Sequence, residues 1–419
     1  MIRNIANEID GSILEGGGQV IRNSVAISAL MCKSLKLFNI RGGRPKPGLQ
    51  AQHMCGLQLV HQMMSAGKTN KICVLEGCTL GSKEVTFKPF GENANDIDDN
   101  DEEAQDHEQF AIDIQTAGAT TLLAQVALPV ALFRPSKSVL MDLKGGTNAA
   151  FAPPIDYYEA IFGHILQRFF GASFDTKILK RGYFPKGGGH IQLNVKPLTR
   201  PLQAVTLTDP GNVSTITVYA SCAGKVPRSK AKQMASSASQ HLVSQGLRND
   251  SIDIVTQYFD SNQAFGNGSH IFVKAELTSG CVLGSSAILG PKDTPEQVGK
   301  DAATAMLRYI NQGVCLDEYA QDQVIIFMAL AKGRSKVLIG PLTLHTKTAI
   351  YVLEHLTEAR FKVNPVSEVT NIIECEGIGF EPNKKKKSVK QHPWWDQDYE
   401  NYNDDRRLFI SWHFKNQMP

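Results

Sequence analysis

The chain has 419 residues, 42% hydrophobic and 20% charged, a length that suits two or three compact units with sizeable cores. No apolar run reaches the ~18–20 residues of a membrane span, residues 1–10 hold no apolar signal stretch, and the eight cysteines lack the paired spacing of a zinc site or disulfide framework. The expectation is a soluble intracellular globular protein with no membrane partner.

Its net charge of +3 conceals an uneven distribution. Residues 92–108 carry nine acids and no Lys or Arg, and the stretch from Asn383 carries eight bases and five acids. The remainder holds 36 bases against 27 acids, a net of +9. Between Gly16 and Leu75 there is no Asp or Glu, while Arg22, Lys33, Lys36, Arg41, Arg44, Lys46, Lys68 and Lys71 are basic. Such a span suits a surface that faces a polyanion, although solvated lysines would produce the same count.

In chain order, residues 34–40 read as a strand, and residues 49–66 as a helix with Leu49, Met54, Leu57, Val60 and Met64 on one side. Two strands follow, KICVLEG and EVTFKP. The order then recurs as a helix over 120–133, a strand over 138–143, a helix over 155–170, and strands over 174–183 and 190–195. Two glycine triplets, EGGGQVIRNS and KGGGHIQLNV, echo one another and suggest duplication of a small α/β unit. The pattern changes near Pro197–Pro201: a polar Ala/Ser-rich helix over 229–246, a strand over 252–259, and a hairpin of HIFVKAEL and GCVLGSSAIL. Thr294-Pro-Glu-Gln297 fits a capping box that opens a helix to about Gln312. After Cys315 the pattern of the N-terminal half resumes, with helices over 317–331 and 345–361 and strands over 335–339 and 371–375. The acidic segment 92–108 and the tail from 383 read as unstructured. Within the tail, Lys384–Lys387 and Lys390 form a basic run of nuclear-import type, from which a nuclear location is expected.

Three places carry residues suited to phosphate chemistry. Glu15-Gly-Gly-Gly-Gln19 precedes a helix beginning near Val20, where glycines and unpaired N–H groups would admit an anion. It is neither a Walker loop nor GxGxxG, and a structural tight turn accounts for it equally well. The loop Arg41-Gly-Gly-Arg44-Pro-Lys-Pro-Gly48 alternates cations with Gly and Pro, which suits a rigid phosphate clamp that Arg22 could join. His345 opens the last long helix, where the dipole favours a neutral ring able to act as a nucleophile. A single histidine is as readily structural. Tyr319, Asp322 and Gln323 lie within about one turn on the helix before it and read either as polar surface or as a buried hydrogen-bonding cluster.

The motifs DGSILEGGGQVIR, IRGGRPKPGLQAQH, LKGGTNAAFAPPIDYY, RGYFPKGGGHI, QAFGNG, DEYAQDQ and GPLTLHTKTAI occur in this order over roughly nine-tenths of the chain. Together they resemble the RNA 3'-terminal phosphate cyclase family. The resemblance implies an α/β layered fold of three repeats, each a four-stranded sheet with two helices similar to the C-terminal domain of translation initiation factor three. A smaller α/β domain is inserted before the third. The expected boundaries are 1–200 for repeats one and two, 201–314 for the insert, 315–382 for the third repeat, and 383–419 for a tail outside the family's pattern.

The resemblance further implies an enzyme that converts an RNA 3'-phosphate end into a 2',3'-cyclic phosphate, with ATP as cosubstrate and His345 as the nucleophile that carries AMP. Gln125, Pro153, Tyr319, Asp322 and Gln323 would bind the nucleotide. Arg22, Arg41, Arg44 and Gln52 would hold the RNA phosphate or departing pyrophosphate, and Glu15 would sit near a Mg²⁺ or Mn²⁺ ion. The family also has a non-catalytic branch, serving ribosome assembly, that lacks the histidine. The presence of His345, the arginine loop and Glu15 places that alternative second, and a plain RNA-binding module third. No coiled-coil seam argues for an oligomer, so the oligomeric state stays open.

Overall fold

The computed structural model describes residues 7–66, 73–89 and 107–382. The acidic segment up to residue 106, Lys68, Lys71, and the tail with its Lys384–Lys387 and Lys390 run lie outside the described residues. Strand β1 (Asn7–Asp10) leads through the glycine turn to α1 (Gly18–Met31), β2 (Leu35–Phe38), α2 (Ala51–Ser65), β3 (Val74–Glu76) and β4 (Val85–Lys88). The sheet order is β1-β2-β4-β3, with β1 parallel to β2 and the other pairs antiparallel. The same plan follows with β5 (His107–Asp113), α3 (Thr120–Leu132), β6 (Ser138–Gly145), α4 (Ile155–Tyr157, continued by π-helical turns over Tyr158–Gly163 and Leu166–Phe170), β7 (Ser173–Gly182) and β8 (Gly189–Lys196). Its order is β5-β6-β8-β7, again with the first pair parallel.

Next comes β9 (Thr206–Leu207), then β10 (Val213–Ala223), α5 (Arg228–Ser244), β11 (Ile252–Phe259), β12 (Ala264–Phe265), β13 (Gly268–Leu277), β14 (Val282–Ile288) and α6 (Pro295–Gln312). Here β11-β10-β13-β14 form a separate four-stranded sheet, whereas β12 pairs with β7 at the edge of the second sheet. Finally α7 (Glu318–Gln323), α8 (Ile325–Leu330), β15 (Lys332–Ile339), α9 (Leu344–Leu356), β16 (Arg360–Pro365) and β17 (Asn371–Ile378) complete the sheet that β9 began, in the order β9-β15-β17-β16. Three sheets therefore share one βαβαββ plan, and the protein is a mixed α/β fold of small sheets layered with helices. In the third copy the chain leaves after β9, builds the extra sheet, and returns at α7.

Local chemistry explains the elements. Along β8, Ile191, Leu193 and Val195 alternate inward, the period-2 pattern of a strand with one buried face. Helix α1 is buried nearly all round because α2, α3 and α9 pack against it, so Val20, Ile21, Val25 and Ile27 face several directions and are all at most 2% exposed. Each such side chain contributes roughly 1.5–3 kcal/mol of burial. The Thr294 hydroxyl accepts the Gln297 N–H at 3.3 Å and Pro295 opens α6, but the return half of the expected capping box is replaced by the Gln297 side-chain amide donating to Asp301 at 2.6 Å.

Several local expectations change. The helix expected over 345–361 ends at Leu356, and residues Arg360–Pro365 form a strand antiparallel to β17; the Glu354 carboxylate takes the Phe361 N–H at 2.8 Å and fixes the exit. The helix expected over 317–331 is interrupted at Val324, dividing into α7 and α8, with the Gln323 side-chain amide donating to the Tyr319 carbonyl at 2.8 Å beside the break. The glycine triplets are not equivalent: one opens helix α1, the other opens strand β8. His107 and Glu108, assigned to the acidic loop, begin β5. Glu108 is 7% exposed and paired with buried Arg134, whose Nε donates to it at 2.5 Å. Pairing with Arg134 is what lets an acid enter a strand interior.

Candidate active site

The glycine turn between β1 and α1 is the floor of the site. A Cβ on Gly17 would stand 2.0 Å from Glu15 Oε1, and one on Gly18 would stand 2.5 Å from Arg22 Nη1 and 2.7 Å from His53 Nε2. Only glycine lets three functional side chains close over this turn. Arg44 donates to the Glu15 carbonyl at 3.0 Å and forms an ion pair with its carboxylate. The Glu15 side chain is 8% exposed and that of Arg44 40%, so the arginine can reach outward while the acid stays enclosed. Arg41 has a left-handed backbone (φ 54°), and its Nη1 is committed to the carbonyls of Lys46 at 2.5 Å and Gly48 at 3.1 Å. It therefore shapes the loop that presents Arg44.

Helix α9 brings His345 to this floor. Thr343 caps the helix by accepting the Thr346 N–H at 3.1 Å. One turn past His345, the Thr348 hydroxyl accepts the Glu15 N–H at 3.2 Å. Burial on the cluster side holds the otherwise exposed His345 imidazole below its ordinary pKa; Glu15 opposes this, and Arg22 and Arg44 reinforce it. The lowered pKa favours the neutral ring at pH 7, and desolvation is its largest cause. Burial pushes Asp322 up to about 7, with Arg22 acting the other way and Asp317 and Glu15 adding to the rise. Arg22, in turn, is lowered by burial against the pull of Asp322 and Glu15.

The remaining expected residues form a second wall. The Thr121 hydroxyl donates to the Pro153 carbonyl at 2.8 Å, and Gln125 lies one turn along from Thr121 on α3. The Tyr319 ring meets Tyr157 edge-on at 5.4 Å. Gln323 is held by its bond to the Tyr319 carbonyl. Gln52 accepts the Ala119 N–H at 3.2 Å and lines a crevice with Arg22 and His53. The structure thus gathers Glu15, Arg22, Arg44, Asp322 and His345 into one charged neighbourhood, with Gln52 at its edge. Gln125 stands on α3, Tyr319 and Gln323 stand on α7, and Pro153 lies in the segment just before α4.

Two residues were not anticipated. His53 is 7% exposed; its Nδ1 accepts the Gln50 N–H at 3.2 Å, and burial with the charges of Arg22 and Arg41 drops its pKa to about 3. The sequence signal was the Gln50-x-x-His53 spacing at the helix start. Asp317 accepts from Tyr157 Oη at 2.6 Å, from the Gly284 N–H at 2.8 Å, and from the N–H groups of Tyr319 and Ala320, both at 3.0 Å. An Asp immediately before a helix was its sequence signal.

Buried polar atoms without partners collect here: Glu15 Oε2, Gln19 Nε2, Arg22 Nε, Asn23 Nδ2, Arg44 Nε, Gln125 Oε1 and Gln321 Oε1. Buried donors and acceptors are ordinarily paired, so this concentration marks a place built for a polar ligand. Among the described residues, no three His, Cys, Asp or Glu side chains converge to hold a metal ion. Glu15 Oε2 is nevertheless a free buried carboxylate oxygen, which fits one ligand of a divalent ion whose other ligands are phosphate oxygens or water.

The family description "RNA 3'-terminal phosphate cyclase" matches residues 13–363. A Drosophila melanogaster protein named RNA 3'-terminal phosphate cyclase is 37% identical over 374 residues, covering 89% of this chain and 96% of its own length. A Dictyostelium discoideum protein named probable RNA 3'-terminal phosphate cyclase is 36% identical over 382 residues, 90% of this chain and 83% of its own. One from Pyrobaculum neutrophilum, also named RNA 3'-terminal phosphate cyclase, is 35% identical over 377 residues, covering 90% of this chain and 100% of its own. With its threefold βαβαββ plan and a match across most of its length, the chain belongs to the RNA 3'-terminal phosphate cyclase family.

Proposed function

We propose that this protein converts an RNA 3'-phosphate end to a 2',3'-cyclic phosphate at the expense of ATP, through a covalent adenylate on His345. The carrying observation is the placement of a neutral, outward-facing imidazole beside two arginines and one enclosed carboxylate. A ring nitrogen of His345 attacks the α-phosphorus of ATP in line, and pyrophosphate leaves. An oxygen of the RNA 3'-phosphate then displaces the histidine from the AMP phosphorus and forms an RNA–pp–A end. The neighbouring ribose 2'-OH attacks the RNA phosphorus, loses its proton to solvent, and expels AMP. Each step moves charge between phosphate oxygens, so positioning and neutralisation by Arg22 and Arg44 supply the catalysis. Gln125, Pro153, Tyr319, Asp322 and Gln323 form the nucleotide wall in this reading, and Gln52 and Arg41 border the phosphate side. Glu15 would hold a Mg²⁺ or Mn²⁺ ion, which when bound polarises phosphate oxygens.

Purified protein incubated with α-labelled ATP and divalent ion should retain label through detergent denaturation at alkaline pH and release it in mild acid, as a phosphoramidate does, and His345→Ala should lose it entirely. Label at the wild-type level in that variant would overturn the mechanism. Because the imidazole pKa is lowered, the acid limb of the labelling rate should lie below pH ~6.5, the ordinary histidine value. A limb above that value would contradict the assignment.

A further inference from the structure

Away from the nucleophile, the second sheet and the strand β12 at its edge expose large rings on adjoining turns. Phe184 is 79% exposed in the tight turn closed by the Gly187 N–H donating to the Tyr183 carbonyl at 2.9 Å. Phe265 is 40% exposed and pairs in β12 with Gly182; a Cβ on Gly188 would stand 2.3 Å from its ring, so the ring lies flat against bare backbone. Phe151 is fully exposed with a left-handed backbone (φ 61°), on a loop whose Asn148 bridges to Tyr183. Three exposed phenylalanines on adjoining turns amount to a patch rather than the scattered apolar residues of an ordinary surface.

Cations surround the patch. Lys180 Nζ lies 5.9 Å from the centre of the Phe265 ring, and Lys186 is exposed in the Phe184 turn. Asn267, two residues beyond Phe265, accepts the Lys225 N–H at 2.8 Å, which joins the patch to the exposed start of α5 with Lys225, Arg228 and Lys232. The neighbouring acids point elsewhere: Asp260 accepts the N–H groups of Asn262 and Gln263, and Asp156 is paired with buried Arg181.

The patch also connects to the active site. A Cβ on Gly187 would stand 2.2 Å from the Thr116 carbonyl, so the Phe184 turn packs on the 115–118 loop. That loop leads to Ala119, whose N–H is bonded to Gln52, and Gln52 shares a crevice with Arg22 and His53. A chain of contacts therefore links the phosphate-holding residues to the turn that carries Phe184, and Asn267 links Phe265 to the basic start of α5.

We infer that Phe184 and Phe265 form a stacking platform for the unpaired nucleotides preceding the RNA 3' end, with Lys186, Lys225 and Lys232 following the backbone. Exposed rings interleaved with cations along one track are the physical signature of single-strand binding without base readout, since every base offers a face to stack. The inference rests on the cyclase reading for the identity of the polymer. It predicts that substrates longer than the terminal nucleotides bind more tightly, without base preference.

The test uses the full chain and a fluorescent single-stranded RNA 12-mer with a 3'-phosphate, followed by anisotropy without ATP, beside a dinucleotide 3'-phosphate as a short cyclisation substrate. Phe265→Ala and Phe184→Ala should each weaken 12-mer binding about tenfold, the scale of one lost base–aromatic stack. Auto-adenylation and dinucleotide cyclisation should be unchanged, and Phe265→Tyr should restore 12-mer binding. Unchanged 12-mer affinity in both alanine variants, or equal losses on the dinucleotide, would overturn the platform. Should an alanine variant fail to fold, photocrosslinking of the wild type to iodouridine RNA decides: adducts at Phe184 or Phe265 support the platform, and adducts confined elsewhere refute it. Failure of wild-type auto-adenylation would sink the cyclase reading alone, because the anisotropy does not depend on it.

Discussion

Asp322 is a half-buried acid in the field of the half-buried Arg22, and its titration should be measurable in the stability of the protein. Its pKa is pushed up to about 7 and that of Asp317 to about 6, in both cases mainly by burial. In the unfolded chain both would titrate near the ordinary ~3.9. Between about pH 4 and 7 the native state therefore binds more protons than the unfolded one, and stability falls as pH rises through that window. Thermal unfolding should show a lower midpoint at pH 8 than at pH 5, and Asp322→Asn should narrow the difference. An equal difference in the variant would show that Asp322 does not titrate in this range. At this scale the sequence was informative where residue type and chemistry coincide, as for Glu15, Arg44 and His345. It was silent on Thr348, whose hydroxyl ties the His345 helix to Glu15 across 333 positions, because an ordinary threonine in a helix carries no such signal.

Elements were legible where one face is buried against one neighbour and illegible where a distant partner sets the boundary. The period-2 pattern of β8 and the cap of α6 follow from local rules. Strand β16 was missed: its short Phe361/Val363 alternation directly follows the apolar face of α9, and pairing with β17 sets the boundary between them. Strand β5 was hidden for a similar reason, since Glu108 completes an acidic run and becomes a core residue only through Arg134. That arginine also donates to the Met63 carbonyl, fastening α2 to the second sheet. Removing it leaves a buried carboxylate without its counter-ion. Arg134→Ala should therefore cost about 3–5 kcal/mol in chemical denaturation. A loss below ~1 kcal/mol would mean that water reaches Glu108 and the pair is in effect a surface one.

At the scale of the whole molecule, Asp317 links parts of the chain that are far apart. Its carboxyl receives Tyr157 from α4, Gly284 from β14 and the first turn of α7. Asp317→Ala should cost roughly 2–3 kcal/mol, a lost helix cap plus buried donors left unpaired. It should also weaken nucleotide binding, because α7 carries Tyr319, Asp322 and Gln323, the residues proposed to hold the nucleotide. Denaturation and ATP titration on the same variant check both, and normal affinity in a destabilised protein would restrict Asp317 to a structural role. Taken by itself, the sequence determined the α/β class, the acid-free basic span and the ordered motifs from which the family follows, since these depend on residue type and local spacing. Only the tertiary structure decided that three sheets share one strand order and that Arg41 shapes the loop while Arg44 reaches Glu15. It also decided that burial against the cluster lowers the His345 pKa. Each of these depends on contacts between residues far apart in the chain, and desolvation exists only once those residues have packed together.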